Sequence, residues 1–306
     1  IYKSANAGLA IEKLNQLKTL EPSNTAIDKK LAEIYYLKND FSKAADAYSR
    51  FAMGPTANEE DLVKYAFALF LNHDFAKSLE VANMGLKKNP RHAAFNRLAM
   101  YNNTDLKRFE EALKAADVFF NECDKADYSY LDYMYYGHLL EELKKYDEAV
   151  GQYEKAVELD PTKTDLYKNI SSAYEQKNDY KKAIGAYHKY YSSLEKEKQT
   201  PDLQFQLGRL YYGAGTQPDS LTINAEERKQ ALMSADSVFQ VISEAAPDSY
   251  LGNFWRARAN SALDPETTQG LAKPFYEEVA ALLESKNDSS VSACQIRSPV
   301  LLDSVS

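Results

Sequence analysis

The chain has 306 residues, of which 44% are hydrophobic and 27% charged, and it contains only 11 glycines and 10 prolines. This composition favours helices over an all-β fold. The net charge of -8 gives little electrostatic support for binding the phosphate backbone of a nucleic acid. The longest apolar run, at 65–71, is far shorter than the roughly 20 residues that a helix needs to cross a bilayer. We therefore predict a helical protein that neither spans a membrane nor binds nucleic acid.

A small residue begins an apolar stripe at regular intervals along the chain. Further apolar residues follow four and seven places later, as Tyr153 and Ala156 follow Ala149, and this spacing puts all three on one face of a helix. The first four small residues are 34 apart, and the next intervals are 37, 34, 52 and 37. An internal period of this length indicates stacked structural repeats. The small residues are Ala10, Ala44, Ser78, Ala112, Ala149, Ala183, Ala235 and Ala272.

Each of these helices has a neighbour that precedes it in the chain. The preceding helix carries a small residue, at Ala32, Ala66, Gly137, Ser171, Gly208 and Ala257, where two helices are expected to approach closely. An aromatic residue stands three places before five of the stripe residues, at Phe41, Phe75, Phe109, Tyr146 and Tyr180. Prolines at 22, 90, 161 and 247 are expected to end the second helix. The repeated unit is therefore predicted to be a helical hairpin.

These positions resemble the tetratricopeptide repeat family. Within 130–163, the signature positions are occupied by Gly137, Tyr146, Ala149, Tyr153, Ala156 and Pro161. The resemblance implies an all-α fold, a right-handed superhelical solenoid of antiparallel helix pairs. Met100 departs from the pattern, because it stands where a small residue is usual.

The period divides the chain into a partial repeat, about seven complete repeats and a tail. Residues 1–24 hold a second helix only, whose apolar stripe would lack a partner; missing upstream sequence is the favoured explanation and end-to-end association the other. In the sixth repeat we predict an inserted loop at 213–226, with Gly213, Gly215 and Pro218 ending the first helix and Asn224 with Glu227 capping the second. The repeats are 25–58, 59–92, 93–126, 130–163, 164–197, 201–249 and 250–284, and 285–306 is an irregular serine-rich tail.

No residue pattern in the sequence predicts catalysis, a metal site or a cofactor. The four histidines, His73, His92, His138 and His188, lie far apart and do not form a zinc motif. Cys123 and Cys294 are either two inert thiols or one long-range disulfide. Asn102, Asn169 and Asn287 begin triplets of the glycosylation acceptor pattern, and the first two fall on predicted helices.

The resemblance implies that extended peptides or partner helices bind in a concave groove lined by the first helices. Aromatic residues and arginine are the side chains most often found as binding anchors. The alternative for some of these residues is packing against the next helix. A clamp for chaperone tails is disfavoured, since Glu33 stands where asparagine would be needed. The candidate groove residues are Lys29, Tyr36, Phe67, Phe70, Arg97, Tyr101, His138, Lys168, Arg209 and Tyr212.

We therefore predict a non-enzymatic scaffold that binds a protein or peptide. The alternatives are a structural bridge that assembles a larger complex, or associates with itself, through the ends of the array, and a carbohydrate-binding protein or enzyme that uses the surface formed by some of the 23 tyrosines. The missing initiator methionine and a composition resembling exported repeat proteins favour the periplasm or cell envelope of a bacterium, with the cytoplasm as the alternative.

Overall fold

A computed structural model describes residues 5–54, 57–123, 127–218 and 224–285. The described residues form fifteen α-helices, one short 3-10 helix at Lys196–Lys198 and no strand, which confirms the predicted all-α class. The chain divides into two compact units, residues 1–159 and 160–306. The α-helices are α1 (Ala5–Leu20), α2 (Thr25–Leu37), α3 (Phe41–Ser49), α4 (Glu59–Leu71), α5 (Phe75–Lys88), α6 (Ala93–Asp105), α7 (Phe109–Asn121), α8 (Tyr130–Glu142), α9 (Tyr146–Leu159), α10 (Leu166–Gln176), α11 (Tyr180–Ser193), α12 (Pro201–Gly215), α13 (Ala225–Ala245), α14 (Leu251–Leu263) and α15 (Lys273–Ser285).

Each unit is a series of helix pairs with large buried rings between them. The first unit pairs α2 with α3, α4 with α5, α6 with α7 and α8 with α9, and α1 packs against α2. The second unit pairs α10 with α11, α12 with α13 and α14 with α15. We call α2, α4, α6, α8, α10, α12 and α14 the first helices. The largest fully buried aromatic side chains are Tyr48, Tyr101, Tyr153, Phe95, Phe119 and Phe239.

The same tight turn joins the two helices of five pairs. After the first helix, one residue adopts the left-handed conformation with φ of 58–59°, at Asn39, His73, Lys107, Lys144 and Asn178. In the first of these turns, the Asn39 N–H donates to the carbonyl oxygen of Tyr36 at 3.0 Å, and the Asp40 N–H donates to that of Tyr35 at 2.9 Å. These two bonds satisfy carbonyls that the end of a helix leaves unpaired. The turn therefore fixes the angle at which each second helix returns.

Small residues of the first helices lie against rings of the second helices. A Cβ atom added at Gly137 would be 2.7 Å from two ring carbons of Tyr153, and one added at Gly208 would be 2.7 Å from two ring carbons of Phe239. Met100 is fully buried in spite of its size. Sixteen residues after Met100 the chain has Ala116, whereas sixteen residues after Gly137 it has Tyr153. In the pair α6 and α7 the larger residue therefore stands on the first helix and the smaller one on the second, which reverses the arrangement of Gly137 and Tyr153 in α8 and α9.

The predicted inserted loop at 213–226 begins too early, whereas the second helix begins directly after the predicted cap residue Asn224. Helix α12 continues through Gly215, and α13 begins at Ala225. Both glycines lie inside the helix, at places where neighbours leave no room for a side chain: a Cβ atom at Gly213 would be 2.4 Å from the Tyr180 ring, and one at Gly215 would be 2.4 Å from Leu232. The expected cap is confirmed, since Asn224 Oδ1 accepts the Glu227 N–H at 2.9 Å. The centre of the loop, 219–223, and the tail beyond Ser285 lie outside the described residues.

Substitutions at two glycines of one helix pair test the close approach. Gly137→Ala is expected to lower the free energy of unfolding by about 1–2 kcal/mol, because overpacking against the buried Tyr153 ring outweighs the gain in helix propensity. Gly151→Ala in α9 has no atom within 4 Å of the added Cβ and is expected to stabilise by about 0.5–1 kcal/mol. Urea unfolding followed by circular dichroism measures both. Equal stabilisation by the two variants would contradict the close approach.

Candidate protein-binding surfaces on the first helices

The structure places all ten predicted groove residues on first helices, but in different surroundings. Phe70 and Tyr101 are buried, with 8% and 1% of their surface exposed. Tyr36, Phe67 and Tyr212 are partly exposed, as are the ion-paired Lys29 and Arg97 described below. The exposed members are His138, Lys168 and Arg209.

Two of the predicted groove cations form ion pairs with buried carboxylates of the first unit. Asp61 and Asp132 are at most 3% exposed, and each lies at the beginning of a first helix. Lys29 Nζ on α2 lies 2.8 Å from Asp61 Oδ2 on α4, and Arg97 Nε on α6 lies 2.7 Å from Asp132 Oδ1 on α8. Lys29 and Arg97 therefore tie neighbouring first helices together.

The two buried aromatic candidates belong to the same layer of contacts. The Tyr101 hydroxyl donates a hydrogen bond to Asp132 at 2.6 Å, and its ring stacks on Tyr135 with 4.1 Å between centroids. Phe70 lies 5.5 Å from the Tyr101 ring. Burial raises the pKa of Tyr101, and the Asp132 carboxylate raises it further, so the hydroxyl remains a donor. Phe70 and Tyr101 thus form the interior of the first-helix layer in this unit.

Other side chains remain accessible on the first unit. Tyr36 packs edge-on against Phe41 with 5.6 Å between ring centroids, and it is only partly covered. Burial raises the pKa of Tyr36, while the neighbouring Lys64 on α4 acts in the opposite direction. Phe67 packs against the core and keeps part of its surface exposed. The accessible surface of α2 and α4 therefore combines aromatic rings with a lysine.

The second unit contains an aromatic cluster in which Tyr212 was predicted and Trp255 and Arg258 were not. Tyr212 on α12 packs edge-on against Trp255 on α14 with 5.3 Å between ring centroids. The Arg258 guanidinium carbon lies 4.5 Å from the Trp255 ring centroid, 5.0 Å from that of Tyr212 and 6.0 Å from that of Phe254. Arg258 holds the ninth place of the predicted repeat at 250–284, as Arg209 does in the predicted repeat at 201–249. That equivalence is the signal that could have identified it.

The glycosylation triplets and the cysteines named from the sequence are only partly covered by the described residues. Asn102 is fully buried and its amide donates to Ser78 at 2.8 Å, so this acceptor triplet does not present its asparagine to solvent. Cys123 is partly buried and accepts a weak hydrogen bond from the Asn96 amide at 3.6 Å, and Cys294 is not among the described residues.

In the described part of the chain, no group of histidine, cysteine or acidic residues is arranged to hold a metal ion. None of the described helices combines the length and apolarity needed to span a membrane.

Removing the Tyr101 hydroxyl tests its structural role. Tyr101→Phe keeps the ring stack but leaves the buried Asp132 carboxylate without one of its hydrogen bonds, and we expect the free energy of unfolding to fall by about 1.5–3 kcal/mol. Tyr135→Phe is the matched control, because the hydroxyl of Tyr135 donates to the more exposed Asp105. The free energy of unfolding of this control is expected to fall by less than about 1.5 kcal/mol. Urea unfolding compares the two, and equal losses would contradict the special role of Asp132.

Comparison with known proteins agrees with this architecture. The tetratricopeptide repeat family model matches residues 131–163, which include nearly all of α8 and the whole of α9. The chain is similar to the C-terminal part of a TPR repeat-containing protein from Cytophaga hutchinsonii, with a TM-score of 0.54 and 29% identity over 73% of this chain and 80% of that one. A search of the functionally curated proteins found no significant match.

Two further solved structures share the fold. A tetratricopeptide repeat protein from Parabacteroides merdae has a TM-score of 0.51 and 18% identity, covering 83% of this chain and 92% of that one. MamA from residue 41 to its end, from Desulfovibrio magneticus, has a TM-score of 0.50 and 18% identity, covering 57% and 97%. Solenoids of this type create extended binding surfaces and typically serve as non-catalytic scaffolds. The chain therefore has the tetratricopeptide-repeat fold, which is suited to protein–protein interaction, and its residues 131–163 match the family model.

Proposed function

We propose that the chain is a non-enzymatic scaffold that binds a peptide or a helix of a partner protein on its first helices. The observation that carries the proposal is the accessibility of aromatic side chains there. Tyr36 and Phe67 in the first unit and Tyr212 in the second keep part of their surface exposed. Phe70 and Tyr101, at similar helix positions, are buried in the core and are not accessible to a partner. The accessible rings are therefore the best candidates for anchoring a partner.

Rigid positioning supports the same proposal. An anchor that is already held in its binding geometry loses little conformational entropy when a partner arrives. In the first unit, the Lys29–Asp61 and Arg97–Asp132 ion pairs hold neighbouring first helices together. In the second unit, Tyr212 is held edge-on by Trp255. Aromatic side chains fixed in this way resemble the hot spots of protein interfaces, where a few rings carry most of the binding energy.

Peptide selection tests the proposed binding surface. Random dodecapeptides displayed on phage are selected against the full chain, and the Kd of the recovered peptides is measured by fluorescence anisotropy. A variant with Tyr36→Ala, Phe67→Ala and Tyr212→Ala is expected to weaken binding at least about 10-fold, since a hot-spot ring contributes more than about 1.4 kcal/mol. Phe70 and Tyr101 are left unchanged because their replacement would disturb the core.

The control changes exposed apolar residues of a second helix. Met233 and Val241 of α13 are 47% and 48% exposed, and Met233→Ala with Val241→Ala should leave the Kd unchanged. Circular dichroism verifies that both variants keep their helices. If the selected peptides bind the first-helix variant as tightly as the native chain, or if selection recovers no binding peptide, the proposal is wrong.

The exposed face of α1 favours a second candidate, a structural scaffold that associates with a second copy of itself. Leu9, Leu17 and Leu20 are 57%, 39% and 79% exposed, and their spacing puts them on one side of the helix. Two such stripes packed together would remove apolar surface from water.

Mass measurement tests the second candidate. Sedimentation equilibrium is expected to show a mass that rises above 34.6 kDa with concentration, and Leu17→Glu with Leu20→Glu should abolish the rise. The control is Leu37→Glu on α2, where the leucine is 66% exposed, and this change should leave the rise in mass unaffected. A native chain that stays at 34.6 kDa throughout the concentration range contradicts this candidate.

We also propose a location in the cell envelope. Its support is the resemblance of the composition to exported repeat proteins. Immunodetection in periplasmic and cytoplasmic fractions of cells that naturally produce the protein tests it, and recovery in the cytoplasmic fraction alone contradicts it.

A further inference from the structure

Arg258 on α14 has an unusual environment. Its guanidinium group lies over the rings of Trp255 and Tyr212, with distances of 4.5 and 5.0 Å to their centroids, and the side chain is partly exposed. A guanidinium group stacked on an aromatic face is held in place by cation–π attraction and van der Waals contact. Because the Tyr212 and Trp255 rings are at 89° to one another, the planar group can lie parallel to only one of them, and attraction to both rings restricts its movement.

Other arginines on the first helices have carboxylate partners. Arg97 Nε lies 2.7 Å from Asp132, Arg256 Nε lies 3.0 Å from Asp236, and Arg209 lies 3.9 Å from Glu175. Within the described part of the chain, no carboxylate forms an ion pair with Arg258 and no group accepts a hydrogen bond from it. A positioned fork of N–H donors is therefore available to a ligand.

We infer that Arg258 binds the carboxylate of an aspartate or glutamate in a segment of a partner protein. The planar guanidinium fork matches a carboxylate, with which it forms two parallel charge-assisted hydrogen bonds. The exposed parts of Tyr212 and Phe254 provide apolar contact beside it. This inference rests on the proposed function, since it specifies the chemistry of a partner bound at the first helices.

The surrounding charges favour a carboxylate over a phosphorylated residue. Recognition of a phosphate group with nearly two negative charges generally uses a cluster of arginines. Arg256, on the same helix, is neutralised by Asp236, and Arg209 on α12 faces Glu175. Of these three arginines, Arg258 alone has no carboxylate partner among the described residues, and its single positive charge matches the single negative charge of a carboxylate.

Peptide binding tests the role of Arg258. The probe is the tightest-binding dodecapeptide recovered from phage selection on the full chain, which is expected to contain an aspartate or glutamate. Arg258→Gln should weaken its binding by about 10- to 100-fold, the range for a lost charge-assisted hydrogen-bond pair. Arg258→Lys keeps the charge but loses the fork, and its effect should be smaller. Changing the peptide's acidic residue to its amide should weaken binding to the native chain and have little further effect on Arg258→Gln.

A matched variant separates specific recognition from a general effect of charge. Lys229→Gln removes the same charge from an exposed position on the second helix α13 and should leave the Kd unchanged. Circular dichroism spectra that match the native chain show that Arg258→Gln is folded, and Arg258→Lys provides a second, more conservative variant.

The possible outcomes distinguish this inference from the proposed function. Peptides that lack acidic residues, bind Arg258→Gln normally and lose affinity for the Tyr36, Phe67 and Tyr212 variant overturn the Arg258 inference and leave the proposed function standing. A selection without binding peptides, or peptides insensitive to both sets of substitutions, overturns both. If phosphoserine in place of the acidic residue binds more tightly to the native chain than the acid does, the partner is a phosphopeptide and the carboxylate inference is wrong.

Discussion

The close approach of a backbone to an aromatic ring sets the geometry of the helix pairs. At Gly137 and Gly208 the first helix has no Cβ atom, and a ring of the second helix occupies that space. Close packing leaves no room for an added methyl group without movement of the ring or the helix. In a repeat fold each pair is stabilised mainly by its neighbours, so an error in one pair would change the spacing of the next. The surfaces carried by the first helices depend on this spacing.

Buried ion pairs then set how neighbouring first helices lie together in the first unit. Asp61 and Asp132 are almost completely buried, and each is reached by a cation from the preceding first helix. Each pair joins a buried carboxylate to a partly exposed cation, and its net contribution to stability is small because the attraction is offset by the lost hydration of the carboxylate. Removing one partner is costly, since the other charge stays buried and unpaired. Such pairs therefore chiefly fix how neighbouring first helices align. Because Lys29 and Arg97 are ion-paired within the chain, they are not available to bind a partner's carboxylate.

The sequence was sufficient to predict the helix pairs but not the surroundings of each side chain. A period of 34 with small residues at fixed places requires close helices, and the structure places Gly137 and Gly208 at such contacts. Spacing also identifies which residues share a helix face. It cannot tell that Tyr135 stacks on Tyr101 and buries it, because that contact joins separate helix pairs. The prediction ended the helix too early at Gly213 and Gly215, since glycine can either end a helix or make room for a neighbouring side chain within one.

The contrast between Arg97 and Arg258 links the stability of the fold to the binding of a partner. Arg97 lies 5.1 Å from the Phe119 ring centroid and also contacts Asp132, so stacking and ion pairing are both satisfied within the chain. Arg258 has the stacking contacts, with Trp255 and Tyr212, and no ion pair among the described residues. Stacking fixes the group before any anion arrives, which lowers the entropic cost of binding. An acidic residue of a partner would therefore complete at Arg258 the arrangement that Asp132 completes at Arg97.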